Sequence, residues 1–244
     1  MGEVIAVLSG KGGTGKTTLC AALATCLAKQ ARRVLCIDLD VGLRNLDIAL
    51  GMGEEAAISF ADVLHGRYKL DSATPHPYFP ELHLLTAPLR EEEALFAEGF
   101  GRLIDRAKEL YDYCLIDAPA GVSLGFRLAS RYAGRVIVVA TPDPASLRDA
   151  SRVSELLSMG QKEDVYLAVN RVRPKFFSKT SLTIDDIMDS TGLPLLGLIP
   201  EDYEVPLAAF RGKPLILAEK KGAAEACHRI AQRLSGKTVP LMKL

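Results

Sequence analysis

Val4-Ile5-Ala6-Val7-Leu8-Ser9-Gly10-Lys11-Gly12-Gly13-Thr14-Gly15-Lys16-Thr17-Thr18 stands almost at the start of the chain, and its reading decides the fold. Val4 to Leu8 are apolar without polar alternation, the pattern of a strand buried on both faces. Gly10 to Thr17 fit G-x-x-x-x-G-K-[ST], and a helical pattern follows over residues 17–30, so the motif lies between a strand and a helix, as a phosphate loop must. Glycines let the backbone turn its N–H groups towards phosphate oxygens, and the dipole of the following helix favours negative charge. Lys16 is expected to neutralise the β- and γ-phosphates of a nucleoside triphosphate, and Thr17 to ligate Mg²⁺.

Further apolar runs, rich in β-branched residues, recur at 34–38, 82–86, 113–117, 135–140, 165–170 and 195–199. Helical patterns alternate with them at 91–110, 145–159, 181–191 and 223–234. Repeated strand–helix–strand units of this kind predict a doubly wound α/β fold: a mainly parallel sheet with helices on both faces, here a single domain over 1–244. Such sheets bind ligands at the carboxyl ends of their strands, where functional polar residues should be sought. Residues 71–80, with three prolines, read as an irregular surface loop.

Composition narrows the function. Lys plus Arg and Asp plus Glu each total 30, so no net field draws the chain to nucleic acid or to an anionic membrane surface. The five cysteines stand singly in apolar segments without a C-x-x-C pair, which speaks against a zinc site, a disulfide framework or a cluster carrier. No apolar run approaches the roughly 20 residues that span a bilayer. The start lacks a basic region before its apolar run, so a cytoplasmic protein is expected.

Two strands end in acids. In Val34-Leu35-Cys36-Ile37-Asp38-Leu39-Asp40 the period of 2 turns both aspartates the same way. Asp40 is the candidate for orienting the attacking water, because phosphoryl transfer needs a positioned nucleophile and little covalent help. Asp38 is expected to support the magnesium shell. Tyr113-Cys114-Leu115-Ile116-Asp117 ends likewise, and Asp117 is expected to hold Mg²⁺ directly or through water, with 118–121 as a switch-like turn.

Lys11, directly after the first glycine, is more than a minimal phosphate loop needs. The pattern Lys11-Gly12-Gly13-x-Gly15-Lys16-Thr17-Thr18 resembles the deviant Walker A motif of the MinD/ParA/nitrogenase iron-protein class. That resemblance implies an ATPase in which Lys11 reaches a second subunit's nucleotide, so that catalysis waits for dimerisation. Asp40-Val41-Gly42-Leu43-Arg44-Asn45-Leu46-Asp47-Ile48-Ala49-Leu50-Gly51 is similar to the first switch of the MinD branch. Asp117-Ala118-Pro119-Ala120-Gly121 and Gly197-Leu198-Ile199-Pro200-Glu201-Asp202 resemble two further motifs of that branch. Flagellar-number relatives share an N-L-D segment but typically lack the leucine-arginine pair before it.

The resemblance implies roles for other residues. Asn170 would read the adenine edge, Arg171 would flank the ring, and Pro200, Glu201 and Asp202 would close the base pocket. Catalysis would fall to Lys11, Lys16 and Asp40, with Thr18 also in the nucleotide site. Arg148 and Asp149, opening a helix, match the segment that MinC-like inhibitors and MinE-like activators contact, and Arg44 and Asn45 join that surface. Ser151 and Thr141-Pro142-Asp143-Pro144 depart from the usual pattern there. The branch implies an ATP-dependent homodimer that cycles to the inner face of the cell membrane and positions the division site by recruiting a septum inhibitor. MinD proteins generally end in a basic amphipathic helix. Residues 236–244 read as a remnant of such a tail, and 238–244 are too short to bury an apolar face. The alternative is a positioning ATPase for DNA partition or flagellar number, of which the neutral charge weakens the DNA version.

Overall fold

In the computed structural model the apolar runs pair edge to edge, and residues 1–55, 57–89, 97–180 and 182–242 are described. In chain order the elements are β1 (Glu3–Leu8), α1 (Lys16–Ala28), β2 (Val34–Asp38), α2 (Leu46–Ala49), α3 (Phe60–Leu64), β3 (Thr74–Pro75), β4 (Leu82–Leu85), α4 (Ala97–Leu110) and β5 (Tyr113–Asp117). They continue with α5 (Leu124–Tyr132), β6 (Arg135–Ala140), α6 (Pro144–Met159), β7 (Val165–Val172), α7 (Pro174–Thr180), α8 (Ile184–Thr191), β8 (Leu195–Pro200), α9 (Glu204–Phe210), α10 (Leu215–Ala218) and α11 (Gly222–Leu234). The sheet order is β3-β4-β2-β5-β1-β6-β7-β8, parallel except for β3, which runs antiparallel to β4. The chain builds outward from β1 in both directions, so the crevice of such a fold opens above the carboxyl ends of the central strands.

Both faces of the sheet are dry, which is why the strands show no polar alternation. Val4, Ala6 and Leu8 of β1 point into one core with Ile116, Phe100 and Phe126. Ile5 and Val7 point into the other with Leu19, Leu23 and Ile230 of α1 and α11. All five cysteines are buried and free. Among the described residues no helix is long and apolar enough to cross a membrane.

The structure adds detail where periodicity is weak. The stretch 71–80 carries the two-residue β3, pinned by His76, whose buried ring bonds the Leu50 carbonyl oxygen at 2.8 Å through Nε2 and accepts from the Tyr78 N–H at 3.0 Å through Nδ1. The expected helix 91–110 is seen as α4 from Ala97, residues 90–96 lying outside the described ones. The helix expected from 181 begins at Ile184, because Thr183 and Asp186 form a capping box; Ser181 lies outside the described residues. Beyond α11 the tail folds back on that helix, Arg233 Nη1 donating to the Val239 carbonyl at 3.2 Å and Arg229 Nη1 to that of Pro240 at 3.3 Å. Lys243 and Leu244 lie outside the described residues.

Helix α11 seats on β8 at Gly197. A Cβ there would lie 2.4 Å from Ile230 Cγ1 and 2.7 Å from Cδ1. Gly197→Ala should therefore cost about 1–3 kcal/mol by overpacking, read as a lower urea midpoint at unchanged m-value. In an Ile230→Ala background, which lacks both atoms, Gly197→Ala should cost less than in the wild type, and equal midpoints for wild type and Gly197→Ala would refute the fit.

Candidate nucleotide and magnesium site

The phosphate loop leaves β1 at Ser9, whose hydroxyl donates to the Lys11 carbonyl at 2.7 Å, and enters α1 at Lys16. Gly13 (φ +77°) and Gly15 (φ +94°) take left-handed backbone, which glycine adopts without strain. Among the described residues a Cβ at Gly12 or Gly13 would meet nothing, so their backbone borders open space, whereas one at Gly10 would lie 2.5 Å from Asp149 Cβ and 2.7 Å from its carbonyl oxygen. The loop is thus pressed against α6 at its start and free at its crest. The first N–H groups of α1 lack partners within the helix and point their partial positive charge to this crest.

Below the loop, Asp38 and Asp117 are register partners on β2 and β5, each 1% exposed. Burial foremost pushes Asp38 up to about 6, against the N–H groups of Asp40 and Leu46, which its oxygens accept at 2.8 and 3.2 Å. Asp38 thereby ties both ends of the 40–46 turn. Burial, then the neighbouring Asp38 charge, push Asp117 up to about 7, while a hydrogen bond from Thr17 and the nearby Lys16 cation oppose the rise. Asp117 Oδ1 has no hydrogen-bond partner among the described residues although it is buried. A buried carboxylate with an unsatisfied oxygen, touching a loop hydroxyl beside a cation, is the donor set that a hard divalent ion takes. The residues fit magnesium: Thr17 and Asp117 could hold it, with Asp38 bracing the wall. Asp40 lies half-buried just beyond, raised by burial and lowered by Lys16, and so faces the same charge.

Lys11 is still partly exposed (side chain 38%) and ion-paired with Asp143 at 3.1 Å. Asp143 caps α6, accepting from Ser146 N–H at 3.0 Å; burial raises it, but bonds from Thr141, Ser146 and Lys11 hold it below the usual carboxylate range. This partner of Lys11 was not singled out from the sequence, although Asp143-Pro144-x-Ser146 carries a helix-start signature.

Beside the loop opens a cavity of about 750 Å³ lined by Gly15, Thr18, Asn170, Arg171, Pro200, Glu201 and Asp202 together with Leu19, Val205 and Lys213. All expected base-site residues therefore meet there. A bulge in β7 between Val169 and Val172, with Arg171 at φ +56°, turns Asn170 out of the ladder. The Asp202 carboxylate is engaged elsewhere: it accepts from Glu204 N–H at 3.0 Å and Ala223 N–H at 2.8 Å, fastening the pocket wall to the start of α11. Arg173 forms an ion pair with Glu201 at the rim. Of the expected partner surface, Asp149 packs against the phosphate loop, while Arg44 (φ +46°) and Asn45 sit after β2, separated from α6 by β5 and β1.

Residues 5–215 match the family described as the CobQ/CobB/MinD/ParA nucleotide-binding domain. The septum site-determining protein MinD of Synechocystis is 38% identical over 246 residues, covering 99% of this chain and 92% of that protein. Among solved structures, the MinC:MinD cell division complex of Aquifex aeolicus has a TM-score of 0.91 at 36% identity, covering 99% of both chains. MinD of Pyrococcus horikoshii in complex with Mg-ADP has a TM-score of 0.83 at 29% identity, covering 96% of each chain.

A raised carboxylate pKa favours the folded state below its ordinary value and costs stability as pH rises through the shifted one; for Asp117 the window runs from 3.8 to about 7. Asp117→Asn should therefore raise the melting temperature of the nucleotide-free protein at pH 8, by at least about 1 kcal/mol of stability, with the gain vanishing near pH 4. The same variant should lose the extra stabilisation that Mg²⁺ adds to nucleotide binding. A magnesium increment equal to wild type in thermal-shift titrations would remove Asp117 from the metal site.

Proposed function

The chain belongs to the CobQ/CobB/MinD/ParA nucleotide-binding family, and from that premise we propose that it is a septum-site-determining ATPase of the MinD kind, working with ATP and Mg²⁺ as an ATP-dependent homodimer. The observation that carries the reading is the division of the two lysines. Lys16 is buried beside Asp117 and Asp40, where it serves its own nucleotide, whereas Lys11 stands at the rim on an exposed ion pair.

Binding is a task for the loop and α1: backbone N–H groups and Lys16 receive the phosphates, and Thr17 and Asp117 hold the metal, which supplies charge neutralisation on the transferring group. Asp40 orients the attacking water. Asn170, Arg171 and the 200–202 turn enclose adenine. Lys11 leaves Asp143 and reaches the second copy's nucleotide, so each site is complete only in the pair.

The Aquifex aeolicus relative is a complex with MinC, which supports an inhibitor of the MinC kind as a partner. In this reading α6 with Arg148 and Asp149, and the turn with Arg44 and Asn45, are the surfaces offered to it and to an activator of the MinE kind. If a C-terminal amphipathic helix follows, pairing brings two copies of it together, so that weak membrane contacts by each add as avidity. Peripheral, ATP-dependent cycling between cytoplasm and the inner membrane face follows from that addition.

Lys11→Ala should remain monomeric with a non-hydrolysable ATP analogue and hydrolyse ATP roughly a hundredfold more slowly, while binding ADP as wild type does. Sedimentation velocity and phosphate release measure the two effects. A Lys11→Ala protein that dimerises and turns over normally would end the trans role.

A further inference from the structure

Asn170 does more than border the base cavity. Its Nδ2 donates to the Thr14 carbonyl at 2.7 Å, joining the end of β7 to the phosphate loop across 156 positions of sequence. The amide lies where a side chain at the next residue would be: a Cβ on Gly15, at φ +94°, would come within 2.1 Å of Nδ2. Only glycine at 15 admits this approach.

The bonded carbonyl and the Gly15 N–H belong to one planar, trans peptide unit, so they point in opposite directions. Fixing the oxygen on Asn170 fixes the N–H facing away from it. A loop peptide next to two left-handed glycines would otherwise rotate at little cost, because glycine holds few conformations at bay. The Thr14 side chain does not supply the hold, since its buried hydroxyl has no hydrogen-bond partner among the described residues.

We propose that Asn170 is a positioning residue for the phosphate loop, holding the 14–15 peptide with its N–H presented to phosphate, in addition to its contact with the base. The proposal rests on the ATP-binding reading above. A carboxamide has two N–H donors and one acceptor oxygen. One donor is spent on Thr14, which leaves the second and Oδ1 for an adenine edge. A single side chain thereby joins recognition of the base to the shape of the phosphate cradle, and its removal reaches a ligand that has no base.

The test uses Mg-tripolyphosphate, which offers phosphates alone, in competition against a fluorescent ADP. Asn170→Ala should weaken tripolyphosphate roughly 3- to 10-fold, the loss expected for one hydrogen bond. It should also lower kcat at saturating ATP, where a residue limited to base binding would raise KM only. Asn170→Leu, close to asparagine in shape and without donors, gives the same comparison should the alanine variant not fold, as judged by circular dichroism. Wild-type affinity for tripolyphosphate in a folded variant, or an unchanged kcat, would overturn the positioning role. Failure of the wild-type protein to bind ATP would instead overturn the reading on which it rests, and the two results are distinct.

Discussion

The site is organised by negative charge held out of water beneath the phosphate loop. Asp38 and Asp117 occupy adjacent register positions at the ends of β2 and β5, both buried. A hydrophobic sheet would be more stable with apolar residues there, because burying a carboxylate without a full set of partners is costly. The surroundings offset that cost in part: two backbone N–H groups for Asp38, and Thr17 with Lys16 for Asp117. In the proposed site the uncompensated remainder at Asp117 would make the pocket receptive to a cation. Stability withheld from the free protein becomes affinity in the complex.

This arrangement explains why the loop must be glycine-rich on more than one account. At Gly10 the neighbour is α6, at Gly15 it is Asn170, and at Gly12 and Gly13 the space is open among the described residues. Packing thus dictates the glycines at the two ends, left-handed backbone calls for one at 13 as well, and the open crest is where the proposed ligand would sit. The loop is clamped by its neighbours so that its middle can be both unobstructed and ordered.

Much of this was legible in the sequence because it depends on local pattern. The strands 34–38, 113–117 and 135–140 have the bounds read from their apolar, β-branched runs, since a strand buried on both faces is apolar along its middle and carries its charged residues at its ends, as Asp38, Asp117 and Arg135 do. The phosphate loop and the strand-end acids follow from spacing for the same reason. Short helices such as α2 and α10, of four residues each, span barely one turn and show no period. The Asn170–Thr14 bond, the Lys11–Asp143 pair and the Asp202 clamp on α11 join distant segments, and no local pattern encodes them. Each becomes visible only once the sheet order places β1 next to β6, and β7 next to β8.

The two lysines of the loop then differ in physical standing although only four residues separate them. Lys16 is desolvated among carboxylates, where charge interactions are strong and a neutral replacement would leave buried anions unpaired. Lys11 meets Asp143 with both side chains well exposed, a setting in which an ion pair is worth at most about 1 kcal/mol. Asp143 loses little when Lys11 departs, since Thr141 and the Ser146 N–H continue to hold its carboxylate. Within the proposed pair a triphosphate would carry several charges into a partly dry site and outcompete one screened carboxylate for the ammonium group. In the proposed dimer the step that arms catalysis is therefore cheap within the monomer, and the barrier to hydrolysis lies in bringing two copies together.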